Sequence, residues 1–310
     1  MKDQHNQSRR RLLQAMSIGL AGFVFPMPGF TRVDTLLTRQ IPSSKQRVPA
    51  IGLGSSRTFN VGDDPQGLDN VAEVMRHFFN AGGTLIDSSP MYGSSQPAIG
   101  YGLRKLGKQE AVFAADKVWT SAFESGPAQM EQSRRYWHVD AFDLMQIHNL
   151  VDWQTHIETL HDMKKSGKIR YVGITTSHGR RHEELEEIMR TQTLDFVQFS
   201  YNILDREVEK RLLPVAQQRG IAVIINRPFR RGDLIDGLED RPLPPFAGEL
   251  GCNSWPQLLL KFVVSHPAVT CAIPATSQVA HVKENMLACY GPLPDQAMRV
   301  RMINYVEKII

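Results

Sequence analysis

The sequence is poor in cysteine, with three thiols in 310 residues. They are Cys252, Cys271 and Cys289, an odd set with no CxxC pair and no spacing typical of a metal site. Because a disulfide framework and a thiolate metal centre both need paired or clustered cysteines, this pattern excludes both. We therefore predict three buried, unreactive thiols and no bound metal.

A strong charge imbalance is also absent. The formal net charge is +4, from 36 basic and 32 acidic residues. Residues 1–31 hold four of the basic and one of the acidic side chains, which leaves 32 against 31 in the remainder. Nucleic-acid binding needs a basic face, so no nucleic-acid partner is predicted. The composition, 42% hydrophobic and 22% charged, is that of an ordinary globular protein.

No apolar run has the ~20 residues that a comfortable membrane span needs. The best candidate, residues 15–25, follows Ser-Arg-Arg-Arg-Leu-Leu-Gln at residues 8–14, a pattern typical of a twin-arginine export signal. We predict a signal segment at 1–31 that the twin-arginine export machinery recognises. The protein would then be periplasmic or exported, and membrane-anchored if the segment is not cleaved. The alternative is a basic, slightly amphipathic tail on a cytoplasmic protein.

After this segment, strand and helix signals alternate along the chain. A hairpin is predicted at 38–41 and 47–51, and eight strand signals then alternate with eight helix signals. Strict alternation favours a closed parallel barrel, and such barrels have about 250 residues in one domain. We therefore predict an α/β fold, a single (β/α)8 TIM barrel at 32–310 with an N-terminal hairpin. One long irregular stretch, residues 229–253, follows the seventh barrel strand.

Four chemically capable side chains follow these strand signals. Asp87, Lys117 and His148 each come at or just after the end of a strand-like run, and Tyr92 lies shortly after Asp87. In a parallel barrel the carboxyl ends of the strands meet on one face. We therefore predict that these four residues, called the tetrad below, share one site. Taken singly, each would more often be a packed or solvated side chain.

The chemistry of the tetrad fits proton transfer to an oxygen. A tyrosine hydroxyl has a pKa near ~10, and the Lys117 ammonium is expected to lower the pKa of Tyr92. Asp87 would hold Lys117 protonated. His148 would donate a hydrogen bond to a carbonyl oxygen as negative charge builds on it. These roles predict the reduction of a carbonyl group.

Several segments are similar to those of a known family. In chain order they are residues 82–93, 143–149, 167–174, 198–202, and 273–276 with 284–285. Together they resemble the aldo-keto reductase family over about residues 41–285. The resemblance implies an NAD(P)H-dependent oxidoreductase that reduces an aldehyde or ketone to an alcohol, with the tyrosine as proton donor.

The resemblance also implies a dinucleotide site. Its residues would be Gly54, Ser55, Thr175, Thr176, Gln198, Arg227, Arg231, Thr276, Ser277, His281, Glu284 and Asn285. Gln198 would hold the nicotinamide carboxamide. Arginine forks suit phosphates, so Arg227 and Arg231 are predicted to hold the pyrophosphate, unless their loop is merely solvated. The Lys and Arg that usually grip the 2′-phosphate correspond to Ala275 and His281, so NADPH is expected with NADH as the alternative.

The substrate pocket is predicted from fewer residues. Trp119 and Trp153 are its expected walls, in an open site that favours apolar or aromatic aldehydes. A second hypothesis is a cofactor-binding sensor or accessory protein without sustained turnover, because an exported enzyme has no evident way to recycle its cofactor. The family's Ser-Asn pair after the fifth strand is Thr175-Thr176 here, which adds to that hypothesis.

Overall fold

Two short antiparallel strands are followed by eight parallel ones in the computed structural model, which describes residues 35–122 and 125–310. The strands are β1 (Thr38–Gln40), β2 (Arg47–Pro49), β3 (Leu53–Gly54), β4 (Leu85–Asp87), β5 (Phe113–Val118), β6 (Phe142–Ile147), β7 (Ile169–Thr175), β8 (Phe196–Ser200), β9 (Ala222–Asn226) and β10 (Cys271–Ala272). From β3 to β10 each strand pairs with its neighbour along the chain. The predicted signal segment at 1–31 lies outside the described residues.

Main-chain hydrogen bonds join the first and last strands of the parallel sheet into a barrel. The amide of Gly54 in β3 donates to the carbonyl of Pro274 at 3.0 Å, and Ala272 in β10 donates to Ala50 at 2.8 Å. A Cβ on Gly54 would lie 2.8 Å from the carbonyl oxygen of Ile273, so this close approach requires glycine. The predicted eight-stranded barrel is confirmed, and Gly54 has a structural role in closing it.

Helices surround the barrel. They are α1 (Pro65–Asn80), α2 (Ser95–Leu106), α3 (Ser125–Trp137), α4 (Trp153–Lys165), α5 (His182–Thr191), α6 (Leu212–Arg219), α7 (Asp233–Asp236), α8 (Trp255–Val264), α9 (Val279–Leu287) and α10 (Gln296–Ile309). Helix α1 shows how the sequence specifies them. The Asp64 carboxylate caps its first turn and Pro65 follows. Val71, Met75 and Phe78 then recur at helical spacing and are buried.

Residues 206–219 differ from the single helix that their pattern predicts. A 3-10 turn at Glu207–Glu209 is followed by a separate helix, α6, and Arg211 between them has φ −134° and ψ −60°. Pro214 explains the break. In a continuous helix its ring would clash with the preceding turn, whereas in the first turn of α6 its missing N–H has no cost.

The hairpin of β1 and β2 lies at the end of the barrel where the strands begin, as predicted. The Tyr171 hydroxyl, on β7, donates to the Gln46 side-chain oxygen at 2.8 Å and lies 2.7 Å from the Ser44 hydroxyl, both in the hairpin loop. Inside the barrel, the Tyr171 ring stacks against Phe113 at 5.9 Å and meets Phe196 edge-on at 5.5 Å. These rings fill the barrel at this end, so the open end is the one at which the strands finish.

The long stretch after β9 is more regular than predicted. It contains the short helix α7 and a 3-10 helix at Pro245–Leu250. Leu234, Leu238 and Phe246 are buried, so the stretch packs on the barrel instead of projecting into solvent. The buried ammonium of Lys261 donates to the carbonyl of Leu250 at 2.6 Å, which holds the end of the stretch against α8.

The three cysteines are buried and unpaired, as predicted. Burial raises the pKa of Cys252 to about 11 and that of Cys289 to about 12, so their thiols are unreactive at neutral pH. Within residues 35–122 and 125–310, no helix is long and apolar enough to cross a membrane.

Asp116 is a buried carboxyl outside the tetrad. Gln96 donates to one of its oxygens at 2.5 Å, and the other, Oδ1, is buried with no hydrogen-bond partner among the described residues. Burial raises the pKa of Asp116 to about 7, with a smaller contribution from the charge of Asp87. Since the folded-state pKa lies above the unfolded value of 3.8, ionisation destabilises the fold as the pH rises through this interval.

The Asp116→Asn variant is therefore expected to gain stability relative to wild type as the pH rises. Each pKa unit corresponds to ~1.4 kcal/mol, so the stability of the variant relative to wild type should improve by roughly 2–4 kcal/mol between pH 5 and pH 9. Urea unfolding at both pH values measures this difference. Asp140→Asn, at an exposed carboxyl, is the control and should show no such trend. Parallel pH profiles for Asp116→Asn and wild type would contradict the prediction.

Candidate active site

The tetrad lies at the open end of the barrel. Asp87 is the last residue of β4, Lys117 is the fifth residue of β5, and His148 follows directly on β6. Tyr92 is carried by a 3-10 turn at Pro90–Tyr92, just after β4. Because neighbouring parallel strands end at the same edge, residues far apart in the sequence come together here.

Asp87 and Lys117 form a buried ion pair. Their side chains are 3% and 0% exposed, and Lys117 Nζ lies 2.5 Å from Asp87 Oδ2. Lys117 also donates to the Ser88 carbonyl at 2.7 Å. Burial is the largest single influence and would lower the pKa of Lys117, but the charge of Asp87, the neighbouring Tyr92 and the hydrogen bond to Asp87 together outweigh it, so the pKa is raised. Lys117 is therefore a fixed positive charge at neutral pH.

Two glutamines complete the surroundings of Asp87. Gln146 and Gln198 donate to Asp87 Oδ1 at 3.0 Å and 2.9 Å, and Gln198 also donates to Gln146 Oε1 at 3.2 Å. Gln146 comes from β6 and Gln198 from β8, on either side of β7, and both side chains reach Asp87 inside the barrel. The sequence pattern indicated Gln198 but not Gln146, although Gln146 is a fully buried polar residue in β6.

Tyr92 lies between the side chains of Lys117 and His148. Lys117 Nζ is 5.1 Å from the centre of its ring, and the ring of His148 meets it edge-on with centres 5.6 Å apart. Burial raises the pKa of Tyr92, and the opposing charge of Lys117 does not cancel this. The expected lowering of the pKa of Tyr92 is therefore wrong in sign. The phenol keeps its proton at neutral pH, as a proton donor must.

His148 is a neutral hydrogen-bonding group. Burial, with a smaller contribution from the charge of Lys117, lowers the pKa of His148 to about 2. Its Nδ1 lies 2.7 Å from the hydroxyl of Ser89. At neutral pH the ring thus carries one proton, and it can donate one hydrogen bond to a substrate. The sequence pattern did not indicate Ser89.

A large cleft opens above the tetrad. Its volume is about 1490 Å³, which exceeds the ~300–1,000 Å³ typical of sites for drug-sized ligands and has room for a dinucleotide beside a substrate. All the predicted cofactor residues except Ser277 line it. The Thr176 hydroxyl and Arg227 Nη1 are buried there without a hydrogen-bond partner among the described residues. Such orphaned polar groups fit a polar ligand.

The residues predicted near the nicotinamide cluster at the ends of β7, β8 and β9. Thr175 accepts a hydrogen bond from the Asn149 amide at 3.1 Å, while the Thr176 hydroxyl is free to bind a ligand. Asn226 donates to the Thr176 carbonyl at 2.9 Å and to Gln198 Oε1 at 3.3 Å. The amide of Gln198 is thus held beside Asp87 by its protein neighbours.

Ser55 lines the cleft and also hydrogen-bonds to residues at the end of β4, next to the tetrad. It is fully buried, and its hydroxyl lies 2.9 Å from both the Asp87 carbonyl and the Ser88 hydroxyl. It therefore ties β3 to the end of β4. Together with Gly54, which closes the barrel, Ser55 has a structural role that the sequence pattern did not separate from cofactor binding.

Two arginines and a histidine lie beyond this group. His178 follows β7, and Arg227 and Arg231 follow β9. Burial lowers the pKa of His178 to about 4, and the charges of Arg227 and Arg231 add to this effect. Burial, and then the charge of Arg231, lowers the pKa of Arg227. Arg230, by contrast, is paired with Asp205 at 3.1 Å. The imidazole of His178 is therefore neutral at neutral pH, and the two positive charges of Arg227 and Arg231 in the cleft favour an anion.

The predicted adenosine end is assembled around α9. Thr276 Oγ1 lies 3.3 Å from His281 Nδ1, and both line the cleft together with Glu284 and Asn285. Ser277 is exposed and is not part of the lining; its carbonyl accepts a hydrogen bond from Asn70 at 2.7 Å. The 2′-phosphate would therefore meet hydroxyl and imidazole groups here.

Neither tryptophan of the predicted substrate pocket lines the cleft. Trp119 is 40% exposed, and the indole N–H of Trp153 donates to Glu184 at 3.1 Å. The aromatic lining comes instead from Phe229, after β9, and from Trp255, at the start of α8. Phe229 begins the stretch 229–253 and Trp255 follows it, so the irregular stretch predicted after the seventh barrel strand forms part of the cleft wall. No cluster of metal-ligating side chains occurs in the described part of the chain.

Comparison with known proteins agrees with this geometry. The chain is 30% identical over 249 residues to the methylglyoxal reductase YeaE of Escherichia coli, covering 77% of this chain and 84% of that protein. It is 27% identical over 240 residues to the NADH-specific methylglyoxal reductase of the same organism, covering 67% and 70%.

Solved structures are similar as well. An aldo/keto reductase from Klebsiella pneumoniae, in complex with NADP and acetate, has a TM-score of 0.72 and 25% identity and covers 84% of this chain and 92% of its own. The holo form of a Bacillus halodurans aldo-keto reductase has the same fold, with a TM-score of 0.71 at 23% identity over 88% and 96%. The family model for aldo/keto reductases matches residues 50–301, so the chain belongs to the aldo/keto reductase family.

Proposed function

We propose that this NAD(P)H-dependent oxidoreductase reduces an aldehyde or ketone to the alcohol with Tyr92 as the proton donor. The observation that carries the proposal is the placement of a protonated phenol beside a fixed ammonium and a neutral imidazole at the floor of one cleft. Each group suits a different demand of carbonyl reduction: a proton for the oxygen, a charge to stabilise the resulting phenolate, and a donor for the polarised carbonyl.

The steps follow from the side chains. When bound, the dinucleotide supplies a hydride to the carbonyl carbon. His148 donates a hydrogen bond to the carbonyl oxygen, and Tyr92 transfers its proton to that oxygen as negative charge builds there. The positive charge of Lys117 stabilises the phenolate that remains, and Asp87 keeps Lys117 oriented.

The cofactor is NADPH, with NADH as the alternative. Gln198 and Thr176 would hold the nicotinamide end, while Arg227 and Arg231 would hold the pyrophosphate. At the adenosine end, Ala275 and His281 stand where the family usually has a lysine and an arginine. The 2′-phosphate of NADPH would therefore add little binding energy. We therefore expect weak discrimination between the two cofactors, which titration of the protein with each of them measures.

Arg227→Ala tests the anion site. Loss of a charge-assisted hydrogen bond should raise the Kd for the dinucleotide roughly 10- to 100-fold, measured by quenching of protein fluorescence. Arg230→Ala is the matched control, because Arg230 is already paired with Asp205, and its Kd should change less than about threefold. If Arg227 binds the pyrophosphate, which both cofactors contain, the Kd values for NADPH and NADH should rise by the same factor in Arg227→Ala. Equal Kd values for the two variants would contradict the assignment.

For the substrate we propose a small carbonyl compound. Two relatives are named methylglyoxal reductases, and the cleft has both polar walls and the aromatic side chains of Phe229 and Trp255. A panel that includes methylglyoxal and benzaldehyde separates a polar dicarbonyl preference from the aromatic one expected from the sequence. The readout is the initial rate of NADPH oxidation, followed by the loss of the cofactor's absorbance.

Export through the twin-arginine pathway is a further part of the proposal. It rests on the arginine motif at residues 8–14 and the apolar stretch that follows it. Replacing Arg9 and Arg10 together by lysine should keep the protein in the cytoplasm, while the wild type is found in the periplasmic or membrane fraction. Equal distribution of the two proteins on fractionation would contradict export.

A sensor without sustained turnover is the second candidate. The observation in its favour is that protein groups already hold the Gln198 amide, through Asp87 and Asn226, and that Thr175-Thr176 replaces the Ser-Asn pair of the family. Multiple turnovers with added cofactor would exclude a sensor. A single turnover followed by arrest would favour it.

A further inference from the structure

Ser89 connects the turn that carries Tyr92 to the ring of His148. Its side chain is fully buried, and its hydroxyl oxygen lies 2.7 Å from His148 Nδ1. The same oxygen accepts a hydrogen bond from the Met91 amide at 3.2 Å, at the start of the 3-10 turn. One hydroxyl therefore contacts both halves of the proton-transfer site.

The direction of the hydrogen bond follows from the supply of protons. A serine hydroxyl has one proton and two acceptor positions, and the Met91 amide occupies one acceptor position. Within the described residues the Ser89 hydroxyl makes no other hydrogen bond. If Nδ1 of His148 carried the ring proton, the serine proton would be left buried without an acceptor, which is costly. Donation from Ser89 to Nδ1 gives the serine proton, Nδ1 and the Met91 amide a partner each.

His148 has a single ring proton to place. Its pKa is lowered to about 2 by burial and by the charge of Lys117, so the ring is neutral throughout the physiological range. When Nδ1 accepts from Ser89, the proton must be on Nε2. His148 lines the cleft, and its Nε2 makes no hydrogen bond within residues 35–122 and 125–310.

We propose that Ser89 is a positioning residue that fixes His148 in the Nε2–H tautomer and so directs the only ring proton towards the substrate's carbonyl oxygen. In the opposite tautomer the lone pair of Nε2 would face that oxygen, and a donor would become a repelling group. The inference rests on the proposed carbonyl reduction, since it assigns the partner of His148 in that reaction.

Ser89→Ala, with Ser89→Thr as the conservative variant, tests the inference. The backbone of Ser89 is extended, with φ −166° and ψ 149°, so a β-branched residue suits it. Nitrogen-15 NMR of the imidazoles reports the tautomer, and the signals of His148 are those lost in His148→Gln. The wild type should show a protonated Nε2 and an unprotonated Nδ1.

In Ser89→Ala we expect a mixture of tautomers and a kcat lowered about 10- to 100-fold, with KM and the Kd for NADPH changed less than about threefold. Ser89→Thr should restore the wild-type tautomer and most of the rate. A mere packing defect would change thermal stability without this spectroscopic signature.

A protonated Nδ1 in the wild type would overturn the inference, whatever the variants do. Unchanged kcat and tautomer in Ser89→Ala would overturn it as well. The NMR measurement needs no turnover, so its outcome is separate from the proposed function. Full activity in Tyr92→Phe would refute carbonyl reduction by this site while leaving the tautomer result intact.

Discussion

Replacing Tyr92 with phenylalanine is expected to lower kcat about 10²- to 10⁴-fold, the usual contribution of a positioned general acid. The phenol is the only proton donor of the tetrad that combines a raised pKa with contact to both Lys117 and His148. Loss of one oxygen leaves the ring and its packing in place. The Kd for NADPH should therefore stay within about twofold of wild type, as measured by fluorescence titration.

Tyr136→Phe is the matched control for this variant. Tyr136 lies on α3 with 41% of its surface exposed, so its hydroxyl has no part in the site, and the variant should keep wild-type kcat. If Tyr92→Phe retained more than about a tenth of the wild-type rate, the proton would have to come from another group and the assignment of Tyr92 would fail.

Lys117→Met is expected to affect both stability and turnover. Removing one partner of a buried ion pair leaves an uncompensated charge, which costs about 3–5 kcal/mol, and Asp87 would be that charge. Turnover would also fall, because the phenolate of Tyr92 loses its stabilising cation. Since the pKa of Lys117 is raised, the contribution of the pair is present at neutral pH and is lost only as the pH rises into the strongly alkaline range.

The double variant Asp87→Asn/Lys117→Met separates the two effects. Without the orphaned carboxylate, most of the stability should return in urea unfolding, while kcat should remain low. Lys105→Met is the control, because its partner Asp69 and the lysine itself are both about half exposed, and solvent-exposed pairs contribute little to stability. Equal destabilisation by Lys117→Met and Lys105→Met would contradict a buried, uncompensated Asp87.

The sequence pattern predicted the tetrad because each member is tied to a strand end. Asp87, Lys117 and His148 follow short apolar runs, and in a parallel barrel those ends converge. The alternation of strands and helices could also be predicted, because hydrophobic periodicity and the residues that end helices and strands are local properties of the chain. The break between the 3-10 turn and α6 was not predicted, because the pattern of residues 206–219 indicates one helix; the ring of Pro214 accounts for the break in the structure.

The burial and contacts of the tetrad could not be predicted from the sequence. The sequence indicated that Lys117 would lower the pKa of Tyr92, yet burial outweighs that charge and raises it. Ser89 and Gln146 were not indicated, because a serine two residues after Asp87 and a glutamine in a strand have no pattern that distinguishes a partner from a bystander. Trp119 and Trp153, the predicted walls of the substrate pocket, do not line the cleft, whereas Phe229 and Trp255 do.

Local spacing thus specified the barrel, the family and the four side chains that meet at its open end, since these depend on the order of residues within single strands and helices. The protonation of Tyr92, the neutral state and proton position of His148, and the aromatic walls of the cleft depend on water exclusion and on contacts between distant segments. Those quantities exist only once the chain has folded, because burial and distance, not residue type alone, set the energy of a charge or a hydrogen bond.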